Sequence, residues 1–150
     1  MLLLSLPYIA QQDNYSCGPV CIEMLLLYYR IPFDVETIQN MCDAQPGKGT
    51  DNARMPLALQ TYGLQAKVTY PADTTDIIAA LQNNAPVIVN YLNPVSGVGH
   101  FAVVKGITEA HIIFADPKNG DGYELPIPQF IAAWHSSDGS IQKWMLHVET

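Results

Sequence analysis

The chain has 150 residues, with seven basic against fourteen acidic side chains, a net charge of −7 and no Lys/Arg cluster, which excludes nucleic acid or an anionic membrane as its main partner. Half-apolar composition (49%) with few charges (14%) excludes a disordered chain, and the length fits one domain over residues 1–150. No apolar run reaches the roughly 18–20 residues of a membrane span, and three cysteines without a disulfide-framework spacing fit a reducing compartment.

The first ten residues, MLLLSLPYIA, have the apolar core of a secretion signal but no basic start, and cleavage there would leave no lead-in to the cysteine segment that follows. They read as a mature N-terminus forming a first strand or an extended arm. Synthesis and residence in the cytoplasm are expected, with export by another route left open. After the lead-in, CGPVCIEMLLLYYR (17–30) reads as a buried helix with almost no polar face, Pro19 being tolerated in its first turn. IPFD stops it, and Asp34 caps a second helix, VETIQNMC (35–42). GKGTDN (47–52) is a loop, and ARMPLALQTYG (53–63) is a third helix closed by Gly63.

The pattern then changes. LQAKVTYP (64–71) alternates as a strand, and DTTDIIAALQNN (73–84) is a helix capped by Asp73 or Thr74. APVIVNYL (85–92), HFAVVKGI (100–107) and HIIFADP (111–117) are three β-rich runs separated by the turn segments NPVSGVG and TEA. YELPIPQFIAAWH (123–135) holds a short helix, and IQKWMLHVE (141–149) a closing strand. Helices first and a mostly antiparallel sheet after them predict an α+β fold.

Cys17 stands where the first helix begins, and the partial positive charge and free N–H groups of a helix N-terminus favour thiolate, the nucleophilic form. A free cysteine is by default a buried, inert hydrophobe, so its company matters. Gln11, six residues earlier, is positioned to supply an oxyanion-hole amide together with the Cys17 N–H, with Gln12 as the alternative. His100 opens one β run and Asp116 ends the next, sixteen residues on. A hairpin brings those two points to the same end of a sheet, where a carboxylate orients an imidazole. Gly18, Gly97 and Gly99 have no side chains and suit close approach of a slim substrate.

Other candidates fall away. Cys21, one turn beyond Cys17, and Cys42 read as core residues, and His111 and His147 as structural or exposed. Cys17, Cys21 and His100 come nearest to a metal-ligand set, but no carboxylate or histidine pair stands at zinc-like spacing, so neither metal nor cofactor is expected. GKGTD lacks the spacing of a phosphate loop.

PYIAQQDNYSCGPVCIEMLLLYY (7–29), GHFAVVKGI (99–107) and IIFADPKNG (112–120) together resemble the bacteriocin-processing, double-glycine leader peptidase domains of the papain-like superfamily. The resemblance implies a papain-like cysteine peptidase fold, with helices packed on the sheet. It implies Cys17 as nucleophile, His100 as general base and acid, Asp116 as its orienting acid and Gln11 in the oxyanion hole. The implied partner is a peptide or protein substrate, cut after Gly-Gly-type leader sites. A catalytically silent leader-docking module and a papain-like isopeptidase or deamidase are the alternatives.

Overall fold

The computed structural model describes residues 1–149. Among them five helices accompany seven strands, joined in one sheet in the order β2-β7-β3-β4-β5-β6, with the short β1 (Leu2–Leu3) added beside β4. Every pairing is antiparallel. The helices are α1 (Cys17–Tyr28), α2 (Val35–Cys42), α3 (Arg54–Thr61), α4 (Thr74–Gln82) and α5 (Ile127–Ala133). The remaining strands are β2 (Ala66–Thr69), β3 (Val87–Leu92), β4 (Gly99–Ile107), β5 (His111–Asp116), β6 (Gly120–Pro126) and β7 (Met145–Val148).

Local chemistry sets the element ends. Asp34 accepts from Thr37 N at the start of α2, and Asp73 and Asp76 form a reciprocal capping box at α4. Gly63, just past α3, has φ +83°, the left-handed stop that glycine adopts without strain. β6 and β7 have different origins. β7 was expected as the closing strand, and it inserts between β2 and β3. β6 was not expected as a strand: GDGYELP is rich in turn formers, and the ladder to β5 on an exposed sheet edge makes it one.

Both faces of the sheet are covered. On one, α1, α2 and α3 bury Cys21, Met24, Leu25, Ile38 and Leu59 against Ile88, Phe101, Val103 and Leu146. On the other, Ile77 and Leu81 of α4 and Phe130 of α5 close over Val87, Val89, Ala102, Val104 and Phe114. Alternate residues of β4 thus enter different cores, which is why its sequence is an unbroken apolar run. α1 lies across the sheet with ten of its residues buried, from Cys17 to Leu26.

The N-terminal arm is stitched along the sheet toward one end. Leu2 and Leu3 pair with Ile107 and Gly106, and a Cβ on Gly106 would lie 2.8 Å from Leu2 O, so glycine admits this strand. Further on, the Tyr8 hydroxyl donates to Asp116 O (2.8 Å) and Gln11 N to Pro117 O (2.9 Å). The arm therefore delivers residues 11–17 to the end of β5.

Candidate active site

Cys17 is the first residue of α1 and is 8% exposed. Asp13 Oδ1 accepts from Tyr15 N (3.0 Å) and Ser16 N (2.8 Å), which turns the chain into the helix. No side chain caps α1, so the positive end of its dipole is directed at whatever occupies the space beside the thiol. A further donor reaches the sulfur from the sheet: Phe101 N lies 3.5 Å from Cys17 Sγ. The β4–β5 ladder begins at Val103↔Ala115, which leaves that N–H unused by β5.

His100 is the second residue of β4 and is 5% exposed. Its Nε2 lies 2.7 Å from Asp116 Oδ1, and Asp116 is fully buried. Since the carboxylate accepts, Nε2 carries the proton, and Nδ1 is left to meet the thiol. Burial alone would pull the imidazole down; hydrogen bonds with Asp116 and Cys17 and the charges of both outweigh it and push His100 up to about 9. Burial likewise opposes ionisation of Asp116, and the hydrogen bonds from His100, Tyr91 and Asn119 overcome it, holding the carboxyl below its ordinary range.

Asp116 is itself held from several sides. Oδ1 also accepts from Lys118 N (3.0 Å) and Asn119 N (2.9 Å), while Oδ2 accepts from the Tyr91 hydroxyl and from Asn119 Nδ2 (3.3 Å). Tyr91 stands opposite His100 in the β3–β4 register, its ring stacked on Phe114 at 5.2 Å and edge-on to the imidazole at 5.8 Å. Burial first, then the Asp116 charge, raises its phenol, so the hydroxyl stays a donor. Sequence reasoning missed Tyr91. The signal was available: a hairpin closing at Leu92↔Gly99 necessarily sets residue 91 against residue 100.

Gln11 lines the cleft with Cys17 and His100. Its Nε2 donates to Asp13 O (2.6 Å), the second N–H of the amide remains for a ligand, and Oε1 is buried without a partner. Gln12 is exposed, donates to Ala10 O (3.3 Å) and lines no part of the cleft. Cys21 and Cys42 are free and fully buried; burial raises both thiols, Cys42 to about 12. Among the described residues no group of three His, Cys, Asp or Glu is arranged to hold a metal ion, and no helix is long and apolar enough to cross a membrane.

A groove passes over the thiol in two lobes of about 620 and 600 Å³, which share Cys17, Lys48, Gly49, Gly99 and Ser137 at their junction. Gly99 is part of this waist: its N–H donates to Ser137 Oγ (2.7 Å), and a Cβ would lie only 3.0 Å from Ser137 N. Gly97 has φ +72° in the turn before β4, where a side chain would meet strain but no neighbour. Gly18 is placed differently from Gly99. It lines neither lobe, and a Cβ there would come within 2.9 Å of Thr50 Cβ and 3.2 Å of Met55 Sδ. Its lack of a side chain seats the loop before α3 against α1.

Comparison with solved structures shows the fold to be that of papain-like C39 peptidase domains. A double-glycine motif protease from an AMS/PCAT transporter, crystallised with a leader peptide, superposes with TM-score 0.75 at 22% identity, covering 99% of this chain and 94% of that one. The peptidase domain of Streptococcus ComA, a bifunctional ABC transporter of a quorum-sensing pathway, gives TM-score 0.75 at 17% identity over 97% and 98% of the two chains. A C39-like peptidase from Bacillus anthracis gives 0.78 at 15% identity over 99% and 97%. No curated protein sequence matches the chain. The Peptidase C39 family model matches residues 5–137, and this chain belongs to the peptidase C39 family.

Proposed function

We propose that the protein is a cysteine peptidase that cleaves a peptide after a double-glycine-type leader site, with Cys17, His100 and Asp116 as its catalytic triad and Gln11 in the oxyanion hole. The observation that carries this reading is the meeting, in one cleft, of Cys17 at the start of α1 with an imidazole bonded to a buried carboxylate that takes part in five hydrogen bonds. Cys17 Sγ attacks the scissile carbonyl carbon as the C=O electrons move onto oxygen. That oxygen is received by the N–H at the head of α1 and the free N–H of the Gln11 amide. Collapse of the tetrahedral adduct breaks the C–N bond, and His100 gives its Nδ1 proton to the leaving amine. His100 then takes a proton from water, whose oxygen attacks the thioester and releases Cys17. Asp116 keeps the imidazole in the tautomer that both steps need.

The waist of the groove, built with Gly49 and Gly99, supports a substrate with slim residues at the cut. Family membership and the leader-bound relative support the same substrate class. Three free thiols fit work in a reducing compartment such as the cytoplasm.

Two measurements test the reading. Alkylation of Cys17 by iodoacetamide, followed by peptide mass spectrometry, is expected to be fast at pH 6 and to fall roughly 10²-fold in His100→Ala. Quenched-fluorescent peptides ending their leader part in Gly-Gly are expected to be cut faster than the same peptides with Leu-Leu. Equal alkylation of the two proteins would dismantle the triad; equal cleavage of the two peptides would leave a peptidase without the glycine preference.

A further inference from the structure

The two lobes of the groove differ in charge. The lobe that contains Gln11 and His100 is lined by Lys48 and Lys118 and by no carboxylate. In a chain with only seven basic residues and a net charge of −7, two lysines here run against the composition. Lys118 is held close to the centre, because its own N–H donates to Asp116 Oδ1 (3.0 Å). Among the described residues no carboxylate lies within 4.0 Å of its ammonium, whereas Lys48, Lys67 and Lys105 each have one.

The lobe on the other side of Cys17 is lined by Asp51 and Asp138, and the Lys48 that it shares with the first lobe meets Asp51 at 3.6 Å with both side chains exposed. Behind them stands a polar floor. Asn90, 6% exposed, donates to Asn52 Oδ1 (2.9 Å), yet its own Oδ1 has no partner. Asn52 Nδ2 is an unpartnered donor beside it, while the likewise unpartnered Thr50 Oγ1 packs against Gly18 of α1, which lines neither lobe. Buried oxygens left without a donor carry a desolvation cost that a donor-rich ligand removes. Asp138, the exposed and weakly paired Asp51 and the Asn90 oxygen together describe a seat for an ammonium or guanidinium group.

We propose that the groove reads charge order across the scissile bond: an acidic side chain of the substrate lies on the Lys118 flank, and a lysine or arginine lies on the Asp51–Asp138 flank. This rests on the peptidase reading and adds the substrate's charge pattern to it. Interfacial charges of this kind set partner choice and association rate.

The test uses three peptides with the same Gly-Gly core, one with Glu before and Lys after the core, one with the order reversed, and one with Ser at both positions. One charge order is expected to exceed the other by about tenfold in kcat/KM at low salt. Raising the ionic strength narrows the gap. Lys118→Glu and Asp51→Lys each shrink the ratio by about fivefold, and the two together invert it. Because the readout is a ratio within one protein, a variant of lower overall activity still reports.

Equal rates for all three peptides, or a ratio that neither substitution moves, overturns the proposal. Fluorescence anisotropy of the same labelled peptides on Cys17→Ala protein reads the order without turnover. Binding that prefers one charge order, with no cleavage by the wild type, counts against the peptidase reading alone. Cleavage with no order in either assay counts against the charge proposal alone.

Discussion

Two hollows of this molecule hold a histidine beside lysine, and the two imidazoles are held very differently. In the first, His100 is buried, bonded to Asp116 at 2.7 Å and faced by a thiol at a helix end. In the second, a hollow of about 260 Å³ between α4 and the β2–β7 edge, His147 is half-buried beside Lys67, Asp76 and Glu149. There His147 Nδ1 has no partner, and Lys67 meets Glu149 at 4.0 Å with both side chains about half exposed. Burial and then Lys67 push His147 down, whereas His100 is pushed up to about 9. Each imidazole has a carboxylate nearby; the difference is the ring of fixed donors around the one that His100 meets. Asp116 is held by the backbone of residues 118 and 119 and by Tyr91, and Asp76 spends its side chain capping a helix.

The comparison breaks most visibly by substitution. Cys17→Ser and His100→Ala are each expected to lower kcat/KM on a cleavable peptide by about 10⁴-fold, and Asp116→Asn by about 10³-fold through the wrong tautomer. His147→Ala, in the other hollow, is expected to stay within about twofold. Steady-state assays on the four purified variants decide it, and a loss in His147→Ala approaching that in Asp116→Asn would erase the distinction drawn between the hollows.

A smaller effect sharpens it. Tyr91 acts through Asp116 and so is a positioning residue. Tyr91→Phe is expected to cut kcat about tenfold with KM little changed, since Tyr91 lines neither lobe of the groove. The hydrogen bond from Tyr91 lowers the Asp116 carboxyl. Its loss moves the acid limb of the pH–rate profile upward. A merely structural tyrosine would lower thermal stability and leave that limb where it is, so the profile separates the two roles.

Much of this was legible in the sequence because it is local. The Asp34 and Asp73 caps, the Gly63 stop and the apolar runs of β3, β4 and β5 are short-range physics, and the structure has each of them at the expected residues. The meeting of His100 and Asp116 followed from hairpin geometry alone. What escaped depends on contacts distant in sequence. β6 is a strand only because β5 templates it, and Phe101 N reaches Cys17 Sγ across 84 positions. The surroundings of Gly18 are of the same kind: its missing side chain beside Cys17 is matched by Thr50, which only the folded loop brings against it.

The two histidines also set opposite pH dependences of stability, the smallest effect and one that needs no substrate. His100 has its folded value at about 9, above the ordinary 6.5 of an unfolded chain. Its contribution is therefore fully present below pH 6.5 and is lost as pH rises toward 9. His147 is depressed in the fold, so the unfolded chain takes up its proton first. Its effect is a loss of stability as pH falls below 6.5. Urea unfolding at pH 5.5, 7.5 and 9.5 is expected to show a midpoint that declines on the alkaline side. His100→Ala makes that decline shallower, the remainder belonging to the buried Cys21 and Cys42 thiols, and His147→Ala flattens the acid side, each without touching the other. A His100→Ala protein that still declined between 7.5 and 9.5 as the wild type does would mean that the imidazolium is not stabilised by Asp116 and Cys17. The two hollows would then differ in shape but not in electrostatics.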